Sequence, residues 1–366
     1  MVTLSKGGDF LGNPGPWGEL EISRLVIEPP REFLPKPEEF LTGNLWLFKG
    51  YTQKDWMNLL SSSSLNDQQQ SILSSPGAWK VTARGVETRP SNDLIFSLSQ
   101  KSRDRIYSVL STWPENSMHF EPLRFTGHAK DEWLKDSGLR PEIATALQSL
   151  LYYRGTTQVF SDMDAMMPLL HSEHEKIQMM KVLMREETLL VKVRIHQNTN
   201  IEALASYWGK GRRRKDLKPF LESLQRKEDR LVDVVHLLPS FARMRLYTFP
   251  SPAECAPPMR HDCNWTTLNF FNFETIEQTL NPIEIKRVYE KKFSPVPGTP
   301  TFGDVILIGD DSGIVHSCVY IADNIVFTKN GPALSAPWIL MKLDDVSAYY
   351  LSDRPLKTVI LRGNDD

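Results

Sequence analysis

Cysteine is scarce in this chain of 366 residues. There are three, Cys255, Cys263 and Cys318, an odd number that excludes a fully paired disulfide framework. One pair plus a free thiol stays open, but a reduced, intracellular setting fits at least as well. Long hydrophobic runs are lacking too: no stretch approaches the roughly 20 apolar residues that span a bilayer, so no membrane span is expected. The opening MVTLSKGGDFLGNPGPWGELE contains no apolar segment of the signal-peptide kind. With Met1 as the true start the expected location is the cytoplasm; a trimmed or misplaced start leaves export open. An excess of charge of one sign is also missing. The formal net charge is -2 with 24% charged residues, so nothing global draws the chain to nucleic acid or an acidic membrane. No repeat of fixed period is visible. His171 and His174 lack a third ligand, and Gly209-x-Gly211 lacks the preceding strand of a nucleotide loop. Neither a metal nor a cofactor is therefore expected.

What is present is ordinary for a globular chain, with 40% apolar residues and length enough for two or three domains. Residues 1–45 are rich in Gly and Pro and read as an N-terminal arm with little structure of its own. Residues 46–186 read as a mostly helical domain of unassigned role. QKDWMNLL, KSRDRIYSVLS, RPEIATALQSLLYY and EKIQMMKVLMR space apolar residues by three and four, and strand-like pieces such as WKVTARGVE interrupt them. Ser102, Ser137 and Asp162 stand where caps or turns belong. Residues 187–240 run strand, helix, helix, strand, from TLLVKVRI through NIEALASYWG and DLKPFLESLQ to LVDVVHLL. Between the two helices GKGRRRKDLK (209–218) concentrates basic residues. A solvated loop is the ordinary reading, and an anionic polymer is a partner it would suit. Residues 241–366 open with a Pro-dense linker and lead into a helix near Cys263. A second helix follows, capped by Asn281 with Pro282 at its first position, and then a β-meander that turns at Asp323-Asn324.

A cysteine nucleophile requires a base, and donors for the oxyanion that forms when it attacks a carbonyl. The first turn of a helix offers free N–H groups and the positive end of the dipole. Cys263 occupies such a turn, with Asp262 as N-cap. Asp262 also works against thiolate formation by like charge. His316, at the start of a following strand, is the expected general base. His261, two residues before the cysteine, competes from a linker. Cys318 is two positions from His316 along a strand, roughly 6.6 Å, too far for a direct pair, and reads as core. Cys255 has no evident partner. Tyr207 and Trp208 beside the basic loop suit sugar or base stacking, with burial the default.

These residues stand in an order that resembles the NlpC-type branch of the papain-like cysteine peptidases, which cleave stem peptides of the bacterial cell wall. Asp262-Cys263-Asn264-Trp265 stands for that family's Asp-Cys-Ser-Gly, Gly303-Asp304-Val305-Ile306 for its Gly-Asp-Leu-Val, and His316-Ser317-Cys318-Val319-Tyr320-Ile321-Ala322 for its His strand. About 120 residues are covered. The resemblance implies an α+β domain with a helix packed on an antiparallel β-meander. It implies catalysis by Cys263 and His316, with Tyr247 near the oxyanion. The residue that orients the imidazole falls on Thr328 by spacing or on Asn330 by chemistry. Trp265 replaces a small residue beside the nucleophile. NTNIEALASYWG also resembles the first loop and helix of the lysin motif, a wall-sugar module, with Asn198-Thr199-Asn200 where Gly-Asp-Thr is usual.

The expected function is thus a thiol-dependent amidase or peptidase acting on a short peptide, such as a cell-wall stem peptide or its fragment. The alternatives are a non-catalytic interaction protein that keeps the papain-like scaffold, and a Cys-His acyltransferase.

Overall fold

The segment ELEISRLVI buries Leu20, Ile22, Leu25 and Ile27, and it is a strand, Glu19–Ile27, in the computed structural model. The structure describes residues 2–4, 10–125, 133–134, 137–226, 229–256, 261–276, 281–311, 313–350 and 355–364. The chain divides into two compact units. One joins residues 1–33 to 186–366, and the other comprises 34–185.

In the first unit Glu19–Ile27 is an inner strand. It lies between Val2–Leu4 and the long strand Glu186–Ile195, antiparallel to both, and Phe10–Leu11 pairs with it as well. The expectation of a weakly structured arm over 1–45 is corrected here. The partner that completes the strand is far away in the chain; Arg24 pairs with Glu187, 163 residues on. Local composition cannot register a pairing of that range. The boundaries read from sequence shift accordingly, because residues 1–33 of the arm share one unit with 187–240 and 241–366, while 34–45 belong to the other.

From Glu186–Ile195 the chain passes through helices Ile201–Trp208 and Arg214–Gln225 to Arg230–Asp233, which returns beside Glu186–Ile195. Asn200 caps the first helix by accepting from the Ala203 N–H at 3.0 Å. Six strands form the second sheet. Their order is Phe293–Pro295, Lys357–Gly363, Val305–Asp310, Gly313–Ala322, Ile325–Lys329 and Trp338–Lys342, all neighbours antiparallel. Asp323 and Asn324 make the tight turn with φ of 44° and 61°, the left-handed values that a two-residue hairpin demands.

Alternation gives this sheet two different faces. Val319, Ile321, Phe327, Trp338 and Leu340 join the core that also takes Leu189, Val191, Val193, Trp208 and Trp265. Cys318, Tyr320, Val326, Ile339 and Met341 join a second core with Ile306 and Ile308. Thr188 fastens the long strand to the second sheet, its hydroxyl bonded to the Leu340 carbonyl and N–H at 3.1 and 3.0 Å.

The second unit is mixed rather than mostly helical. Helices Gln53–Ser62, Gln100–Leu110, Pro141–Leu150 and Glu173–Leu183 stand where the periodicity places them. Two three-stranded antiparallel sheets accompany them, of which WKVTARGVE supplies one hairpin. The cap of Gln100–Leu110 is Ser99, with Ser102 inside the helix, and the Ser137 hydroxyl closes a turn onto the Leu139 N–H. Asp162 is no side-chain cap. Its carboxylate accepts from the Tyr107 hydroxyl at 2.7 Å and lies 3.6 Å from Arg103.

Candidate functional site

Asp262 begins the site. Its side chain accepts from the Trp265 N–H at 3.0 Å, and this cap starts the short helix Cys263–Asn269. Thr266 and Thr267 back-bond to the carbonyls of Asp262 and Cys263 at 2.8 Å each. The helix lies on the Val319 face of the second sheet, where the Trp338 indole donates to Thr266 Oγ1 at 2.9 Å. Ser317, two residues before Val319, meets the helix directly. Its Oγ is 3.1 Å from Thr267 Oγ1 and donates to Asn264 Oδ1 at 3.1 Å. Tyr289 donates to the same Asn264 oxygen.

Cys263 is 9% exposed. Burial, and then the Asp262 carboxylate, push its thiol up to about 11, with the polar groups of Ser317 and Asn264 pulling the other way. Asp262, Asn264 and Trp265, the residues around Cys263, line a groove of about 1470 Å³ that runs on past Leu268, Tyr289 and Leu307. Trp265 forms a wall of this groove. Its indole donates to the Ile276 carbonyl at 3.0 Å, and its ring stacks on His261 at 3.5 Å, nearly parallel.

The structure does not join His316 to Cys263 by a hydrogen bond. Strand alternation turns Ser317 toward the helix and His316 toward the other face, where its ring stacks on Tyr350 at 4.3 Å. Nε2 is 2.7 Å from Thr328 Oγ1. The Thr328 hydroxyl donates to Asn330 Oδ1 at 3.3 Å, so it accepts from the imidazole. The proton is therefore on Nε2, and Nδ1 is a buried lone pair with no hydrogen-bond partner among the described residues. Burial holds the ring neutral, lowering its pKa to about 3. Thr328 and Asn330 both belong to this chain of bonds, Thr328 touching the ring and Asn330 anchored behind it on Met341 Sδ at 3.1 Å. His316, Thr328 and Asn330 are together; Cys263 is apart from them.

The Tyr247 hydroxyl donates to the Leu189 carbonyl at 2.7 Å, so its proton is committed there. Cys318 is fully buried, and burial pushes its thiol far up. His261 is buried, with Nδ1 3.6 Å from Glu254 Oε1. Tyr207 and Trp208 are core residues that donate to the carbonyls of Ile321 and Trp17 at 2.7 and 3.1 Å, so neither offers a stacking platform. Much of the basic loop is internally engaged. Arg213 donates to the Leu237 carbonyl at 2.8 Å, Arg214 and Lys218 pair with Glu202, and Lys210 lies 4.0 Å from Asp304. Among the described residues no group of three His, Cys, Asp or Glu side chains is placed to hold a metal ion. No described helix is long and apolar enough to cross a membrane.

Sequence reasoning missed two residues on the helix side, Ser317 and Lys329. The registered pair Val319–Phe327 places both on the Cys263 face, Ser317 two residues before Val319 and Lys329 two after Phe327. Parity counted outward from the Asp323-Asn324 turn would not have found them, because a register shift between Tyr320 and Ala322 reverses the alternation of the first strand. Comparison with protein-family models, with curated proteins and with solved structures finds no match to this chain.

Proposed function

We propose that the chain is a thiol-dependent hydrolase with Cys263 as nucleophile, acting on an amide or peptide bond held in the adjoining groove. The observation that carries this reading is the place of Cys263, at the head of the Asp262-capped helix and between residues that line the groove. The free N–H groups of a first helical turn favour a thiolate and can meet an oxyanion formed beside it. In the reaction Sγ bonds to the carbonyl carbon as the thiol proton passes to a base. The C–N bond then breaks, and the amine leaves with that proton. Water cleaves the thioester, releasing the acid and restoring the thiol. A short peptide, including a cell-wall stem fragment, is the substrate class this reading carries over from the papain-like resemblance. An acceptor other than water would make the same chemistry an acyl transfer. For His316 to act as the base, its ring must leave Thr328 and bring Nδ1 to the sulfur.

A second reading, a non-catalytic scaffold, is favoured by the high thiol pKa and by the missing Cys263–His316 bond. Alkylation with iodoacetamide across pH, mapped by peptide mass, separates the two. The hydrolase reading expects Cys263 to label in preference to Cys255 and Cys318, and amide hydrolysis to vanish in Cys263→Ser. Equal labelling of the three thiols, or hydrolysis that survives in the variant, would sink it.

A further inference from the structure

Resting on the reading of Cys263 as a nucleophile, we propose that the side-chain amide of Asn264 is the donor that holds the substrate's carbonyl oxygen. Asn264 directly follows Cys263 and lines the groove. Its carboxamide is fixed from two sides. The Tyr289 hydroxyl, carried by the helix Pro282–Lys292, and the Ser317 hydroxyl, carried by the strand Gly313–Ala322, each donate to Oδ1 at 3.1 Å. Both anchors are buried, so water competes little for that oxygen. A planar amide whose oxygen is held has its nitrogen turned away from both hydroxyls. Among the described residues Nδ2 has no hydrogen-bond partner, and it is not one of the buried atoms left in that state. Its N–H groups are thus preset at the groove wall.

Neighbouring donors on this wall are spent. The Trp265 indole donates to the Ile276 carbonyl at 3.0 Å, and the Asn269 amide donates to the carbonyls of Trp265 and Ile276 at 3.0 and 3.4 Å. Asn264 differs from both in keeping its N–H groups for a ligand. Leu268, Ile285 and Leu307 make the nearby lining apolar, and an oxygen brought in from water is costly to bury there without a donor. A donor selects an acceptor, so a carbonyl oxygen suits this place and an N–H does not. As Sγ bonds to the carbonyl carbon, the π pair moves onto the oxygen and its charge grows against Nδ2–H. When the C–N bond breaks, the pair returns. Asn264 gives up no proton, and because it is oriented beforehand it needs no reorganisation as that charge develops. It takes the part that the resemblance gave to Tyr247, whose proton is committed to Leu189.

The test uses the full chain and two probes, with folding of each variant checked by circular dichroism. N-acetyl-leucinal, an aldehyde with an apolar side chain, forms a hemithioacetal in which Sγ bonds to the aldehyde carbon and the thiol proton ends on its oxygen. Its binding is read at equilibrium, so the acidity of the thiol does not enter. Wild type should bind it and Cys263→Ala should not. Folded Asn264→Asp keeps an oxygen for both hydroxyls but offers no N–H, and should bind about tenfold more weakly. Tyr289→Phe, which frees the amide to turn, should fall between the two. Asn264→Asp that binds as well as wild type would overturn the proposal. The second probe, N-acetyl-leucine amide, needs neither thiol chemistry nor a variant. In wild type labelled with 15N-asparagine it should move the Asn264 side-chain resonance saturably and leave that of Asn269 in place; no shift at Asn264 overturns the proposal as well. A wild type that captures no aldehyde and whose Cys263 does not alkylate would instead sink the nucleophile reading, and the amide titration would still decide Asn264.

Discussion

His316 has a neutral, fully buried ring whose one proton is committed to Thr328, and its acid behaviour follows from that. Its pKa falls to about 3 from an ordinary 6.5, so at mildly acidic pH the unfolded chain binds a proton that the folded chain refuses. The contribution to stability is complete above about pH 6.5 and is lost as pH falls toward 3. His316→Gln removes that proton linkage. We expect the variant to be weaker at neutral pH but to show a flatter loss of stability between pH 6.5 and 3. Amide exchange of the 313–322 strand under urea, followed against pH, measures this; an unchanged slope would place the acid sensitivity elsewhere. The same residue shows how far side-chain reading reached. Thr328 and Asn330 were both legible as its companions from spacing and chemistry. The face of the sheet they occupy was not, because HSCVYIA is apolar on both sides and alternation alone does not say which side meets the helix.

At the scale of the element, Asp262 has two opposed effects. As a cap it stabilises the first turn of Cys263–Asn269; as a charge it raises the thiol. Asn caps a helix about as well as Asp, whereas Ala costs ~1 kcal/mol. Asp262→Asn should therefore keep the urea midpoint of wild type and speed alkylation of Cys263 at fixed pH. Asp262→Ala should lower the stability read from that unfolding curve by ~1 kcal/mol. Slower alkylation in Asp262→Asn would show that the carboxylate helps the thiol to ionise rather than hindering it. The cap itself, like Asn281 with Pro282 and the Asp323-Asn324 turn, was legible because capping and turn chemistry act within three or four residues. The strand Glu19–Ile27 was not, although its buried positions Leu20, Ile22, Leu25 and Ile27 are plain in the sequence. Its neighbour Glu186–Ile195 arrives only after the whole 34–185 unit.

At the scale of the whole molecule, the first unit depends on that N-terminal strand. Fully burying each of its four large apolar side chains is worth about 1.5–3 kcal/mol, a sum that rivals the roughly 5–15 kcal/mol by which a domain is stable. Removing residues 1–29 would also bare the hydrogen-bonding edge of Glu186–Ile195, an invitation to aggregate. We expect the truncated chain to lose the cooperative unfolding of the 186–366 part and to associate, as read by denaturation curves and light scattering. A truncated chain that stays monomeric and unfolds as before would refute the assignment of Glu19–Ile27 as an inner strand.

The sequence by itself determined the α+β character, the caps Asp262 and Asn281, the Asp323-Asn324 turn, the main helices of the 34–185 unit and the candidate residues Cys263, His316, Thr328 and Asn330, since all of these are written in short-range spacing and residue chemistry. The tertiary structure decided what those residues meet. The N-terminal segment is an inner strand because a distant strand pairs with it, and the basic loop is partly engaged because Glu202 and a backbone carbonyl reach it. It also decided the surroundings of Cys263. The helix packs on one face of a sheet whose two faces are both buried, and that choice sets Ser317 against the helix while His316 turns to Thr328 and Tyr350. A side chain's face is set by strand parity together with the surface the helix covers, and the second of these exists only once the chain has folded.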